Sequence, residues 1–182
     1  MKVVEQNRRS FLSGFAGFGI SGALAANLSG VGEKTRGLVA GPQEGEHLIH
    51  FRDRGNIFIK LSAANGRGRF SLGTQQVMSG AGIPIHRHLE MEEAFYVLEG
   101  GGSVVLDEEP HPFAEGATIF IPRKAWHGFL NPDRELLLLW MVTPPGLDGF
   151  FRETCSPPGT PPKPLTPEQI RAIALKYGTE FR

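Results

Sequence analysis

The 182-residue chain has a single cysteine, Cys155, so no internal disulfide can staple it and its core must hold by packing. An excess of charge of either sign is also missing, since 19 basic residues balance 19 acidic ones. That removes the electrostatic footprint of a nucleic-acid-binding protein, and no nucleic acid is expected as a partner. Phosphate-type glycine loops, basic–aromatic stripes and internal repeats are absent too. So is an uninterrupted apolar run of ~20 residues, the length that spans a bilayer. The most apolar early stretch, from Phe11 to Leu28, is broken by Ser13, Gly14, Gly17, Gly19, Ser21 and Gly22.

That stretch reads better as an export signal. Asn7-Arg8-Arg9-Ser10-Phe11-Leu12 resembles the twin-arginine export motif, and Ala23, Ala25 and Ala26 offer an A-x-A-like cleavage site. Residues 1–28 are therefore expected to be a signal peptide. The mature protein is expected to be periplasmic or secreted, with no membrane partner after cleavage. Residues 29–46 are glycine- and charge-rich without periodicity, and read as a linker or arm.

Short β-rich runs follow: Leu48–Phe51, Ile57–Leu61, Arg69–Leu72, Gln75–Met78, Ala94–Leu98, Ser103–Leu106, Thr118–Ile121, Trp126–Leu130 and Glu135–Val142. Glycine, proline and Asn-Pro-Asp turns separate them, which argues an all-β sandwich or barrel over 47–155. The Leu136–Met141 run reads as a central strand, because Pro144-Pro145 stands close behind it. Residues 156–165 are a stiff proline-rich connector. Thr166-Pro167-Glu168-Gln169 then fits a capping box, with a short C-terminal helix over 166–178 stopped by Gly178.

Chemistry concentrates between the runs. His86 and His88 are two apart, so in an extended strand both side chains leave one face. Glu93 and His127 add a carboxylate and a third imidazole, the ligand types that suit first-row divalent metals. Four ligands on an octahedral ion leave two positions open, as catalytic sites do and structural sites do not.

Around these residues GAGIPIHRHLEMEEAFYVLEG, with Gly80, His86, His88, Glu93 and Gly100, resembles cupin motif 1. GATIFIPRKAWHGFLN, with Gly116, Pro122, His127 and Asn131, resembles cupin motif 2, departing from it at Lys124, where a glycine is usual. The tail is similar to that of quercetinase-like cupins. The resemblance implies a single double-stranded β-helix, the jelly-roll barrel, holding one divalent transition metal (Fe, Mn, Ni, Cu, Co or Zn) on His86, His88, Glu93 and His127. It implies a quercetin-dioxygenase-like oxidoreductase acting on a small enol or phenolic substrate. An isomerase or lyase on the same site and a non-catalytic binding cupin stay open, as does a homodimer. Glu93 is the expected catalytic group, a ligand or a displaced base.

Neighbouring residues are read in the same way. Glu90 and Glu92 compete with Glu93, but the spacing to His88 and Gly100 prefers Glu93. His47, His50 and His111 are expected at the surface or in loops. Phe95, Val97 and Phe129 share the inward parity of the ligands, whereas Tyr96 and Trp126 are expected outside. Lys124 either holds a strained turn, sits in a turn of another shape, or reaches the barrel mouth to attract an anion. Cys155 is expected to be a bystander.

Overall fold

The computed structural model describes residues 37–65 and 68–182. The expected signal peptide, 1–28, lies outside the described residues, as do residues 29–36 of the linker. Eleven strands follow in order: β1 (Glu46–Ile49), β2 (Asn56–Leu61), β3 (Ser71–Val77), β4 (Ile83–His88), β5 (Glu92–Glu99) and β6 (Gly101–Leu106). Then come β7 (Glu109–Ala114), β8 (Thr118–Ile121), β9 (His127–Leu130), β10 (Leu136–Thr143) and, after two helices, β11 (Thr179–Phe181). One sheet runs β1-β2-β3-β10-β5-β8 and the other β11-β4-β9-β6-β7. Every pairing is antiparallel. This is the expected all-β jelly roll.

Alternation along the strands builds the interior. In β10, Leu136, Leu138, Trp140 and Val142 are buried in turn, and in β5 so are Glu93, Phe95 and Val97. The leucine run is thus a central strand, paired with β3 on one side and β5 on the other. Gly73 lies opposite Trp140, and a Cβ there would meet the indole at 2.5 Å, so this sheet closes only over a glycine. Gly100 makes the turn into β6 with φ 91° and no room for a side chain against the Glu135 carbonyl.

Three parts of the expected layout change. Arg69–Leu72 and Gln75–Met78 are one strand, β3, continuous through Gly73 and Thr74. The proline turn expected after Ser103–Leu106, at Glu109-Pro110, is instead the start of β7; the reversal falls just before it, at Asp107 and Glu108, both with positive φ. The segment after Pro144-Pro145 is helix α1 (Leu147–Thr154), which turns Phe150 and Phe151 inward.

The C-terminal helix α2 (Pro167–Lys176) has its capping box: Gln169 N donates to Thr166 Oγ1 at 3.3 Å, and Thr166 N donates to Gln169 Oε1 at 2.8 Å. The barrel does not stop at 155, however. Gly178 ends the helix and releases the chain into β11, which pairs with β4 and so completes the second sheet. The helices meet where Gly149 has no side chain; a Cβ there would lie 2.2 Å from the Tyr177 ring.

Candidate metal centre

Strands β4, β5 and β9 each carry part of one cluster. His86 and His88 project inward from β4, paired register places His127 opposite His86, and β5 brings Glu93 across the barrel. All four side chains are buried, and one ligand atom from each lies within 4.8 Å of the others. His88 Nε2 is 2.9 Å and His127 Nε2 3.3 Å from Glu93 Oε2.

The opposite ring nitrogens are held from behind. His86 Nδ1 lies 2.8 Å from the Pro84 carbonyl, and His127 Nδ1 3.0 Å from the Ala125 carbonyl. A carbonyl only accepts, so both Nδ1 atoms carry a proton, which leaves Nε2 as the nitrogen that can face a metal. His88 Nδ1 lies 2.9 Å from Thr179 Oγ1, which can accept in the same manner. Among the described residues, buried His127 Nε2 has no hydrogen-bond partner. Three imidazole nitrogens and one carboxylate oxygen thus gather within 4.8 Å of one another. The donor set therefore fits a divalent metal ion, with second-sphere acceptors orienting each imidazole.

Burial alone would raise the pKa of Glu93, but the His88 and His127 side chains outweigh it and hold the carboxyl well below the usual carboxylate range. Glu93 is thus an anion at neutral pH. Burial first, then the neighbouring His127 and His88, pushes His86 well below the ordinary imidazole value, which keeps it neutral and able to ligate. Glu90 is exposed and Glu92 pairs outward with Arg123 at 3.5 Å, so neither replaces Glu93.

A cavity of about 50 Å³ opens beside His86 and Glu93. Phe95, Leu147, Phe150, Phe151 and Phe181 give it an apolar wall, and His50, Arg52 and Gln75 its polar one. His50 stands in a loop, as expected, but it is buried, with Nδ1 3.0 Å from Asp53 Oδ1. Burial lowers its pKa despite that partner. The reason is β1–β2 closure: His50 N donates to the Gly55 carbonyl at 2.9 Å, tucking the loop under α1. Neither Arg52 nor Gln75 stands in a recognisable motif; of the wall, strand parity picked out Phe95.

Other expectations are met. Phe95, Val97 and Phe129 are buried, and Tyr96 is exposed. Trp126 lies outside the ligand face, with the Arg87 guanidinium 4.5 Å and that of Arg182 5.8 Å from its ring centroid. Lys124 keeps the left-handed backbone of the usual glycine, at φ 69°, and its N–H donates to the His88 carbonyl at 2.7 Å. The turn is strained, not reshaped. Its side chain is exposed, and Lys124 is not among the described residues lining the cavity. Asn131 is a buried brace: its side chain accepts from Gly82 N and donates to the Val77, Met78 and Arg134 carbonyls.

Residues 73–143 match the family model described as Cupin domain. The match covers the part of the barrel that carries the four-residue cluster. The uncharacterised protein MJ1618 of Methanocaldococcus jannaschii is 37% identical over 65 residues, 32% of this chain and 52% of that protein. Protein SchB of Streptomyces halstedii is 36% identical over 74 residues, 40% of this chain and 54% of that protein. The chain thus spans about half the length of the curated relatives it matches. The solved structure of a predicted oxalate decarboxylase from Thermotoga maritima aligns with a TM-score of 0.51 at 18% identity, covering 58% of this chain and 98% of that one. At that identity the likeness is one of fold. Within the matched segment His86, His88, Glu93 and His127 are the buried group that could hold a metal ion.

Proposed function

We propose that the protein is a metal-dependent cupin oxidoreductase of the quercetin-dioxygenase-like type, acting on a small enol or phenolic compound. The observation that carries this reading is the convergence of three imidazoles and one carboxylate within 4.8 Å in a buried site. A divalent metal held there would supply Lewis-acid activation of an enol or carbonyl oxygen and open positions for substrate. The chain's own groups account for the rest. Glu93, ionised and attached less firmly than an imidazole, takes the proton of the substrate hydroxyl. The phenyl wall from β5, α1 and β11 excludes water and favours a compact, partly apolar substrate.

The test is metal analysis of the full chain, followed by oxygen-electrode assays with enols, catechols and diketones. One bound transition ion per chain with substrate-dependent oxygen uptake is the expected result. Turnover without oxygen uptake would instead establish an isomerase or lyase on the same residues. A wild-type protein that binds no metal would overturn the proposal.

Export belongs to the same reading. The twin-arginine-like segment would carry the protein out already folded, with its metal loaded before competing ions are met. Replacing Arg8 and Arg9 with lysine is expected to leave the protein in the cytoplasm; undiminished export would remove this part.

A further inference from the structure

We propose that Arg52 is the docking residue for the carboxylate of a small acid that enters the cavity beside His86 and Glu93. This rests on the reading of that cavity as the substrate site and names the class of its substrate.

Arg52 belongs to the loop between β1 and β2, and it lines the same cavity as His86 and Glu93. Its Nε and Nη2 atoms are buried and, among the described residues, make no hydrogen bond. These two atoms form one edge of the guanidinium, with parallel N–H bonds spaced to take both oxygens of a carboxylate. A buried charged donor left without a partner is costly, so the edge is built for something absent from the chain itself.

The nearest anion does not serve. Asp53 Oδ2 is 3.7 Å from Nη2, beyond hydrogen-bond reach. Its oxygens are already engaged: Oδ1 by His50 Nδ1 at 3.0 Å and Gly55 N at 3.3 Å, and Oδ2 by Met78 N at 3.2 Å. Asp53 therefore keeps Arg52 charged without occupying it. The loop is held in shape by His50 N to the Gly55 carbonyl and Arg54 N to the His50 carbonyl, which fixes Arg52 before any ligand arrives.

Size and lining narrow the ligand. A water occupies about 10–15 Å³ of such a cavity, so 50 Å³ holds a molecule of only a few heavy atoms. Phe51, Phe150 and Phe151 favour a short apolar body. The substrate is then a small acid with its carboxylate on Arg52 and a hydroxyl, enol or carbonyl oxygen toward the ligand cluster.

The experiment compares lactate with its neutral isostere lactamide by titration calorimetry, on the full chain with and without cobalt(II). A charge-assisted bidentate contact predicts lactate binding roughly 10- to 100-fold tighter than lactamide. In Arg52→Met that ratio is expected to fall toward one while the cobalt content stays unchanged. Equal affinity for the two probes in the wild type would overturn the proposal without any variant. So would a preference that survives in Arg52→Met. If the chain takes up no cobalt but still prefers lactate, the metal reading fails and the role of Arg52 stands.

Discussion

Thr179 Oγ1 lies 2.9 Å from His88 Nδ1, so strand β11 braces a candidate ligand 91 residues earlier. The same strand sets Phe181 opposite His86 and Glu180 opposite Arg87, whose guanidinium it holds at 2.6 Å. A three-residue strand thereby fixes the orientation of the His-x-His pair. The end of the chain belongs to the site.

Thr179→Val keeps the shape of the side chain and removes the hydroxyl. Loss of an outer-sphere partner is expected to weaken metal binding roughly 10- to 100-fold. Competition against a chromogenic chelator measures it, and an unchanged dissociation constant would show that the hydroxyl orients nothing.

His127→Ala removes a candidate ligand with no solvent exposure. The variant is expected to fold, by circular dichroism, yet to retain no stoichiometric metal. Glu93→Gln is expected to keep three imidazoles, bind metal roughly tenfold or more weakly and lose turnover. Full activity in Glu93→Gln would exclude Glu93 as the proton acceptor.

Stability of the metal-free protein is expected to fall as pH drops below 6.5. Burial lowers the folded-state pKa values of His86 and His50 from 6.5, so below that point the unfolded chain takes protons that the folded one refuses. Each refused proton costs up to about 1.4 kcal/mol per pH unit. Urea midpoints at pH 7.5 and 5.5 measure the effect; an equal or higher midpoint at 5.5 would contradict the burial argument.

Cys155 is buried, and desolvation pushes its thiol up to about 11 from 9.0. The raised value means that between about pH 9 and 11 the unfolded chain loses a proton the folded one keeps, so stability declines there. Cys155→Ala is expected to flatten that decline. Native protein at pH 8 is expected to react with a disulfide reagent only on unfolding, and rapid native labelling would speak against it.

Gly149→Ala places a methyl 2.2 Å from the Tyr177 ring and is expected to cost about 1–3 kcal/mol. Chemical denaturation reads the loss. The companion Gly149→Ala/Tyr177→Ala variant separates the clash from helix propensity, since it should show less than the sum of the single effects.

The four candidate ligands were legible because β parity acts between neighbours: His86 and His88 share a face of β4, while Glu93, Phe95 and Val97 share a face of β5. Helix α2 was legible for a similar reason, since its capping box closes within four residues. Helix α1 was not, because Leu147, Phe150 and Phe151 mark it only through the wall they pack against. β7 was hidden by Pro110 and Pro112, which an edge strand tolerates and a central strand does not. Lys124 was misjudged in part: the left-handed turn persists without glycine, with the lysine N–H bonded to the His88 carbonyl.

By itself the sequence determined the all-β class and the inward strand faces, because these follow from short-range spacing, while the motif resemblance picked out His86, His88, Glu93 and His127 as candidate ligands. Tertiary structure alone decided what surrounds them. His50 and Arg52 reach the cavity through the closing of a loop, and Thr179 reaches His88 through a strand added from the far end of the chain. Such contacts depend on which distant segments share a cavity wall, and no local periodicity encodes that.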